Sequence, residues 1–184
     1  YTQSIIVRAT TEQVNGVWQG ACYPFREELS TGLLNVKFTP QGRLISGGTN
    51  RGWPVRGLKP YALERLEWTG FTPFEIKRIN ITPKGFTIHF TKPADPKTAS
   101  QVENYRVSSF TYPYHQGYGG PVIEATDAKV TQVELAKDGM SATITVDSIT
   151  KGHIHEFILA PILDLDGESL VHNFAFYTVN EIPK

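Results

Sequence analysis

The chain has 184 residues, which is enough for one ordinary domain or for one domain and part of another. Its 16 Gly, 12 Pro and single Met favour a β-rich protein. The 18 basic and 18 acidic residues cancel and form no long run of either sign, which argues against nucleic acid or an anionic membrane as a partner. The longest apolar runs, such as FILAPIL at 157–163, are too short to span a bilayer.

The single cysteine limits the redox chemistry of the chain. Cys22 has no second cysteine with which to form an internal disulfide. There is no Cys-x-x-Cys-His motif, which excludes covalently attached haem within these residues. The chain opens YTQSIIVRAT without an initiator Met or a secretory signal, and we expect a processed product or an excised fragment.

The first part of the chain predicts short strands that need partners. SIIVRAT (4–10) and VNGVWQG (14–20) are predicted strands, and FTPQGRLISGG (38–48) predicts two more around a Pro-Gln-Gly turn. Because a two-stranded hairpin is marginal in water, we expect YALERLEW (61–68) and one of the first two strands to complete a four-stranded sheet. The turn composition of TGFTP (69–73) predicts a boundary there.

The second part has period-two alternation and regular turn chemistry. In GFTIHF, for example, Phe86, Ile88 and Phe90 are expected to share one face. Seven such segments are predicted strands: 75–81, 85–90, 104–110, 129–135, 141–147, 153–159 and 173–179. Their spacing is typical of an immunoglobulin-like β-sandwich. The one helical candidate is PKTASQVENY (96–105). We therefore predict an all-β chain with a blade-like segment at 1–72 and a seven-stranded immunoglobulin-like sandwich at 73–184.

Two stretches of the first segment carry a resemblance to a known family. QGACYPFREELSTGLLNVKFTPQGRLISGGTNRGW (19–53) and LKPYALERLEWTG (58–70) resemble the last blade of secreted β-propeller proteins related to glucose and sorbosone dehydrogenases. The resemblance implies a periplasmic or secreted location and partners in the remaining blades or another subunit. It also implies pyrroloquinoline quinone, calcium or haem in parts of a longer protein, and no cofactor within this chain.

The second segment carries a different resemblance. FTKPADPKTASQVENYRV (90–107) and LAPILDLDGESLVHNFAFYTV (159–179) are similar to bacterial immunoglobulin-like modules. Such modules are usually spacers or docking surfaces, and the fold alone does not define the function.

A tyrosine-rich loop is the first candidate binding surface. FTYPYHQGYGGP (110–121) contains Tyr112, Tyr114, His115 and Tyr118 between glycines and prolines. Planar rings with polar rims suit a sugar face or a protein partner. The alternative is that these rings cover the adjoining sandwich or the propeller.

A polar and aromatic cluster is the second candidate. Arg51, Trp53 and Arg56 lie in TNRGWPVRG (49–57), after the hairpin. On a propeller, an arginine at this place can reach an anionic cofactor or substrate group in the central pocket. The alternative is a role in blade packing or in contacts between domains.

Two metal-like patterns are weaker. His153 and His155 alternate and can bind a transition metal only with a third ligand, for which His115 or His172 is available. We favour an exposed strand face with two solvated histidines over that metal site. The run from Asp164 to Glu168 lacks two ligands of a calcium-binding EF-hand loop and instead predicts a turn in which Asp caps backbone amides.

The sequence shows no self-contained active site. It has no Gly-x-Ser-x-Gly elbow and no phosphate-binding Gly-x-x-x-x-Gly-Lys motif, and Cys22 has no His nearby in the sequence. We predict a non-catalytic C-terminal portion of an extracytoplasmic propeller protein, which serves as a pocket wall and a docking domain. The alternative is a carbohydrate- or protein-binding β-sandwich module without an associated oxidoreductase. A further alternative is a component cleaved from a precursor or assembled non-covalently.

Overall fold

The computed structural model describes residues 2–184 and shows an all-β protein, with 49% of residues in strands and 4% in helices. The strands form three antiparallel sheets of six, four and three strands, and these sheets are not closed. The described chain divides into two compact units. The meander unit comprises residues 2–8 and 24–72, and the sandwich unit comprises residues 9–23 and 73–184. Within residues 2–184, no helix is both long and apolar enough to cross a bilayer.

The strands follow one another with short connections. They are β1 (Ile6–Val14), β2 (Val17–Arg26), β3 (Leu33–Phe38), β4 (Leu44–Thr49), β5 (Tyr61–Leu66), β6 (Ile76–Thr82), β7 (Gly85–Phe90), β8 (Tyr105–Thr111), β9 (Ile123–Ala128), β10 (Val130–Leu135), β11 (Ser141–Val146), β12 (Ile154–Leu159) and β13 (Phe174–Thr178). The helix α1 (Pro96–Ala99) and a 3₁₀ turn (Val102–Asn104) lie between β7 and β8. All seven strands predicted for the second segment are confirmed.

The meander unit contains a sheet of three strands in the order β3-β4-β5. The predicted turn between β3 and β4 forms because Gly42 adopts a positive φ of 77° and donates its N–H to the carbonyl of Thr39 at 2.9 Å. A small buried cluster of Ile6, Leu29 and Leu44 supports the unit. The expectation of a four-stranded sheet is wrong, because neither β1 nor β2 pairs with β3 or β5.

The sandwich unit contains sheets in the orders β1-β2-β13-β12-β8-β9 and β10-β11-β7-β6, except for residues 6–8 of β1 and 24–26 of β2, which belong to the meander unit. Phe86, Ile88 and Phe90 all face the core and are completely buried, which confirms the predicted alternation. The ring of Phe86 makes edge contacts with Phe157 at 4.9 Å and with Tyr177 at 5.5 Å between ring centroids. Aromatic pairs of this geometry stabilise the core beyond the area that they bury.

The β1–β2 hairpin belongs to the six-stranded sheet, where β2 pairs with β13. Tyr23 of β2 accepts a hydrogen bond from the backbone N–H of Ile79 at 2.6 Å. A carboxylate oxygen of Glu12 accepts hydrogen bonds from the N–H of Ile81 at 2.8 Å and the hydroxyl of Tyr177 at 2.6 Å. Residues 9–23 therefore lie in the sandwich unit, although the sequence placed them in one segment with residues 24–72.

Two further features differ from the predicted seven-stranded sandwich. The edge strand β9 was not predicted, and the sheets of this unit hold six and four strands. The predicted helix at 96–105 is shorter, because α1 ends at Ala99 and is followed by the 3₁₀ turn. Asp95 caps α1 by accepting a hydrogen bond from the N–H of Lys97 at 3.0 Å.

Candidate functional site

The candidate site is an open groove on the outward side of the six-stranded sheet. Alternation along β8 turns Tyr105 and Val107 into the core and turns Arg106 and Ser108 outwards. The groove has a volume of about 490 Å³ and is built from β8, β9, β12 and β13. The side chains that give the groove its charged, polar and aromatic character are Arg106, Ser108, Phe110, Asp127, Glu156 and Phe176.

Three polar side chains of the groove form a row across β9, β8 and β12, and an aromatic ring on β13 extends it. Ser108 lies opposite Asp127 of β9 on one side and opposite Glu156 of β12 on the other, and Glu156 lies opposite Phe176 of β13. The hydroxyl of Ser108 donates to a carboxylate oxygen of Glu156 at 3.4 Å. Directly opposed residues have β-carbons about 5 Å apart, so one small ligand can contact several members of the row.

The tyrosine-rich loop connects β8 to β9 and so adjoins the groove. The ring of Tyr112 packs edge-on against Phe110, with ring centroids 5.6 Å apart. Tyr114 and Tyr118 are completely exposed, and Tyr112 is half-exposed. His115 is exposed, and its Nδ1 accepts the N–H of Gly117 at 3.0 Å. The rings of Tyr114 and Tyr118 therefore do not cover the rest of the described chain.

The end of the loop is tied to the residue before β12 by a side-chain hydrogen bond. Glu124 adopts a positive φ of 55°, an unusual conformation for a residue with a side chain. One of its carboxylate oxygens lies 3.1 Å from Nε2 of His153, and the His153 side chain is buried. This contact holds the first residues of β9 beside the chain that enters β12.

His153 and His155 do not form the predicted exposed face. His155 is completely buried, and the N–H of Thr150 donates to its Nε2 at 3.3 Å. Burial lowers the pKa of His155 to about 4. The prediction is wrong because His155 shares its face with the core residues Phe157 and Leu159.

The other metal-like pattern has a structural explanation. His172 pairs with Glu75, with Nδ1 and Oε1 2.7 Å apart. One oxygen of Asp164 accepts the backbone N–H groups of Asp166 at 3.0 Å and of Glu168 at 2.9 Å, which confirms the predicted turn. Among residues 2–184, no group of three or more His, Cys, Asp and Glu side chains could hold a metal ion.

Comparisons with known proteins give no family. No protein-family model matches the chain, and neither does any curated protein. Compared with the crystal structure of the S-layer protein rSbsC(31-844), this chain gives a TM-score of 0.46 and 21% sequence identity, and the match covers 59% of this chain and 14% of that chain. The N-terminal part of the bacterial S-layer protein SbsC has a TM-score of 0.45 and 20% identity over 61% of this chain and 25% of that chain. The matched part thus spans a quarter or less of the length of those proteins.

The predicted cluster of Arg51, Trp53 and Arg56 is distributed over two local environments. The N–H of Trp53 donates to the carbonyl of Asn50 at 2.7 Å in a tight turn, and Trp53 and Arg51 are exposed there. Arg56 lines a separate cavity of about 570 Å³ in the meander unit. Neither Arg51 nor Trp53 is among the residues that line this cavity.

Sequence reasoning missed the polar residues of the groove. The alternation in NYRVSSF already places Arg106, Ser108 and Phe110 on the same face of one strand. Their neighbours Asp127 and Glu156 come from distant parts of the sequence, and only the pairing of β8 with β9 and β12 brings them together.

Proposed function

We propose that the chain is a non-catalytic binding module, and that the groove together with the tyrosine-rich loop holds carbohydrate. The single observation that carries this proposal is the complete exposure of Tyr114 and Tyr118 on the loop that joins β8 to β9, two of the strands that build a groove with both charged and aromatic side chains. The groove and the loop at 112–118 are together called the groove–loop surface below.

The chemistry of the groove–loop surface suits a sugar. Carbohydrate hydroxyls are both donors and acceptors, so they can pair with the carboxylates of Asp127 and Glu156 and with the guanidinium of Arg106. The apolar faces of sugar rings pack on flat aromatic side chains, which Tyr114 and Tyr118 present without rearrangement. Neither Arg106 nor Asp127 forms an ion pair with a residue of the described chain, so both groups are available to a ligand.

The proposal includes the finer architecture that the sequence resemblances imply. The three-stranded sheet would be a blade-like segment of a β-propeller. The whole protein would be periplasmic or secreted and would resemble a quinone-dependent sugar dehydrogenase. The sandwich would be an immunoglobulin-like docking domain. In support, β3 and β5 have unpaired outer edges within the described residues, and Phe38, Tyr61 and Leu63 of this sheet are exposed. Neighbouring blades or another subunit would cover such edges and side chains. A coding sequence for the whole protein without a His base and calcium ligands in earlier blades would refute the dehydrogenase part of this proposal.

The carbohydrate proposal is tested by affinity electrophoresis of the full chain in gels that contain neutral or acidic polysaccharides. We expect retardation in at least one gel, and about a 3- to 10-fold weaker affinity for each ring removed in Tyr114→Ala and Tyr118→Ala. The Phe variants at the same positions should keep most of the affinity, because they retain the ring faces.

The matched control is Tyr61→Ala, which removes another largely exposed ring, from the meander unit. Retardation that is equal in this control and in the loop variants would refute the role of the loop. Failure of every polysaccharide to retard the chain would refute carbohydrate binding and favour the protein-binding alternative.

A further inference from the structure

The meander unit contains a cavity that is independent of the groove–loop surface. It has a volume of about 570 Å³, within the range of cavities that hold small ligands. Two acidic side chains, Glu27 and Glu28, and two basic side chains, Arg56 and Lys59, line it together with a few apolar and polar groups. Charges of both signs thus converge on one concave surface.

These four charged groups do not neutralise one another. None of them forms a salt bridge within 4.0 Å with a described residue. By contrast, Arg43 and Arg65 of the same unit both pair with Glu67 at 3.1 and 3.2 Å. An ion pair between solvent-exposed side chains usually contributes little to stability, so the fold loses little by keeping these four charges unpaired. Each charged group therefore remains free to contact a ligand.

Backbone hydrogen bonds hold the walls of the cavity in place. Ser4 is completely buried, its carbonyl accepts the N–H of Leu29 at 3.1 Å, and its hydroxyl accepts the N–H of Gly57 at 2.9 Å. The N–H of Lys59 donates to the carbonyl of Ser30 at 2.8 Å. The three segments that line the cavity are therefore joined directly, which lowers the ordering cost of binding.

Gly57 permits the close approach of two of these segments. A β-carbon at this position would overlap the backbone of Ser30 and Thr31. Ser30 is itself fixed by Glu64, which accepts its N–H at 3.0 Å and its hydroxyl at 2.8 Å. The segment that carries Glu27 and Glu28 and the segment that carries Arg56 and Lys59 are thus held close together at Ser30 and Gly57.

We propose that this cavity binds a small zwitterion of about dipeptide size. The ligand's ammonium group lies towards Glu27 and Glu28, and its carboxylate lies towards Arg56 and Lys59. A ligand with only one of these charges satisfies one wall and leaves the other hydrated, so the cavity discriminates by the presence of both charges.

The test is a titration of the ¹⁵N-labelled full chain, followed by NMR, with three matched probes. Ala-Ala with free termini carries both charges, N-acetyl-Ala-Ala carries only the carboxylate, and Ala-Ala amide carries only the ammonium. We expect saturable shifts at residues 27–30 and 56–59, and at least about tenfold weaker binding of each singly charged probe. Equal affinities for the three probes, or shifts confined to other residues, would overturn the proposal.

Variants assign the charges to their walls. In the double variant Arg56→Gln/Lys59→Gln, Ala-Ala should bind no better than Ala-Ala amide, because the carboxylate has lost its partners. The matched control is Arg51→Gln, which removes an exposed arginine that does not line the cavity and should leave all three affinities unchanged. Retention of the full preference for Ala-Ala in the double variant would equally overturn the proposal.

Discussion

Replacement of His155 tests whether a buried neutral imidazole controls the acid stability of the sandwich unit. His155 is completely buried, its ring lies 5.5 Å from the ring of Phe86, and its Nε2 accepts the N–H of Thr150. The bond to Thr150 requires an unprotonated Nε2. Burial lowers the pKa of His155 from 6.5 to about 4, the backbone of His153 opposes this shift, and the His153 side chain adds to it.

The sign of the pH dependence follows from these two pKa values. The unfolded chain protonates His155 below pH 6.5, whereas the folded chain keeps it neutral down to about pH 4. The unfolded state therefore binds more protons in this window, and the free energy of unfolding falls as the pH is lowered through it. The complete effect is about 3 kcal/mol, of which about 2.5 kcal/mol is lost by about pH 4.5.

The assay is urea unfolding at about pH 7.5 and about pH 4.5, for the natural chain and for two variants. His155→Gln retains a hydrogen-bond acceptor, and His155→Phe retains an aromatic ring beside Phe86. Between the two pH values, the natural chain should lose about 2.5 kcal/mol more stability than either variant. Carboxylates and histidines that do not interact with His155 contribute similarly to all three chains, so the difference reports on His155 together with its interaction with His153.

Equal losses in the natural chain and both variants would refute this reasoning. An NMR titration of the His155 imidazole in the folded natural chain gives an independent check that does not depend on the folding of a variant. A midpoint near the ordinary value of 6.5 would contradict the effect of burial.

Three further predictions concern the stability of the sandwich unit and use the same urea assay. Asp164→Asn should lower the free energy of unfolding by about 2 kcal/mol, because it weakens the turn and the contact with Lys92. Burial alone would raise the pKa of Asp164, but its hydrogen bonds outweigh burial and lower that pKa, so the difference between the two chains should disappear as the pH falls well below 3.8. A difference that does not change with pH would contradict this prediction. Tyr23→Phe leaves the buried N–H of Ile79 without its partner and should cost about 1–3 kcal/mol, whereas an effect no larger than that of the exposed Tyr61→Phe would argue against this hydrogen bond. Gly85→Ala places a β-carbon against the backbone oxygen of Ile144 and should lower the free energy of unfolding by at least about 2 kcal/mol. The control Gly47→Ala makes only an ordinary contact and should have a much smaller effect on stability. Similar losses of stability at the two sites would show that the strands around Gly85 move apart to accommodate the methyl group.

Local patterns were sufficient where the structure depends on neighbours in sequence. The seven predicted strands alternate with period two, and the turn at Asp164 is built from amides two and four residues ahead of it. Strand β9 was missed because IEATDA shows no apolar alternation, and the four residues in the middle of the strand are all exposed. The burial of His155 has a signal in the sequence, because period-two alternation places His155 on the same face of the strand as Phe157 and Leu159.

The sequence alone determined the all-β class, most of the strands of the sandwich unit and the place of the tyrosine-rich loop, because alternation and turn residues act over a few positions. Only the tertiary structure decided which edge the β1–β2 hairpin joins, since the partners of Glu12 and Tyr23 lie far along the chain at Tyr177 and Ile79. The same holds for both candidate binding surfaces. Strand pairing aligns Asp127, Ser108 and Glu156, and backbone hydrogen bonds join the walls of the mixed-charge cavity, so neither arrangement is contained in any short stretch of sequence.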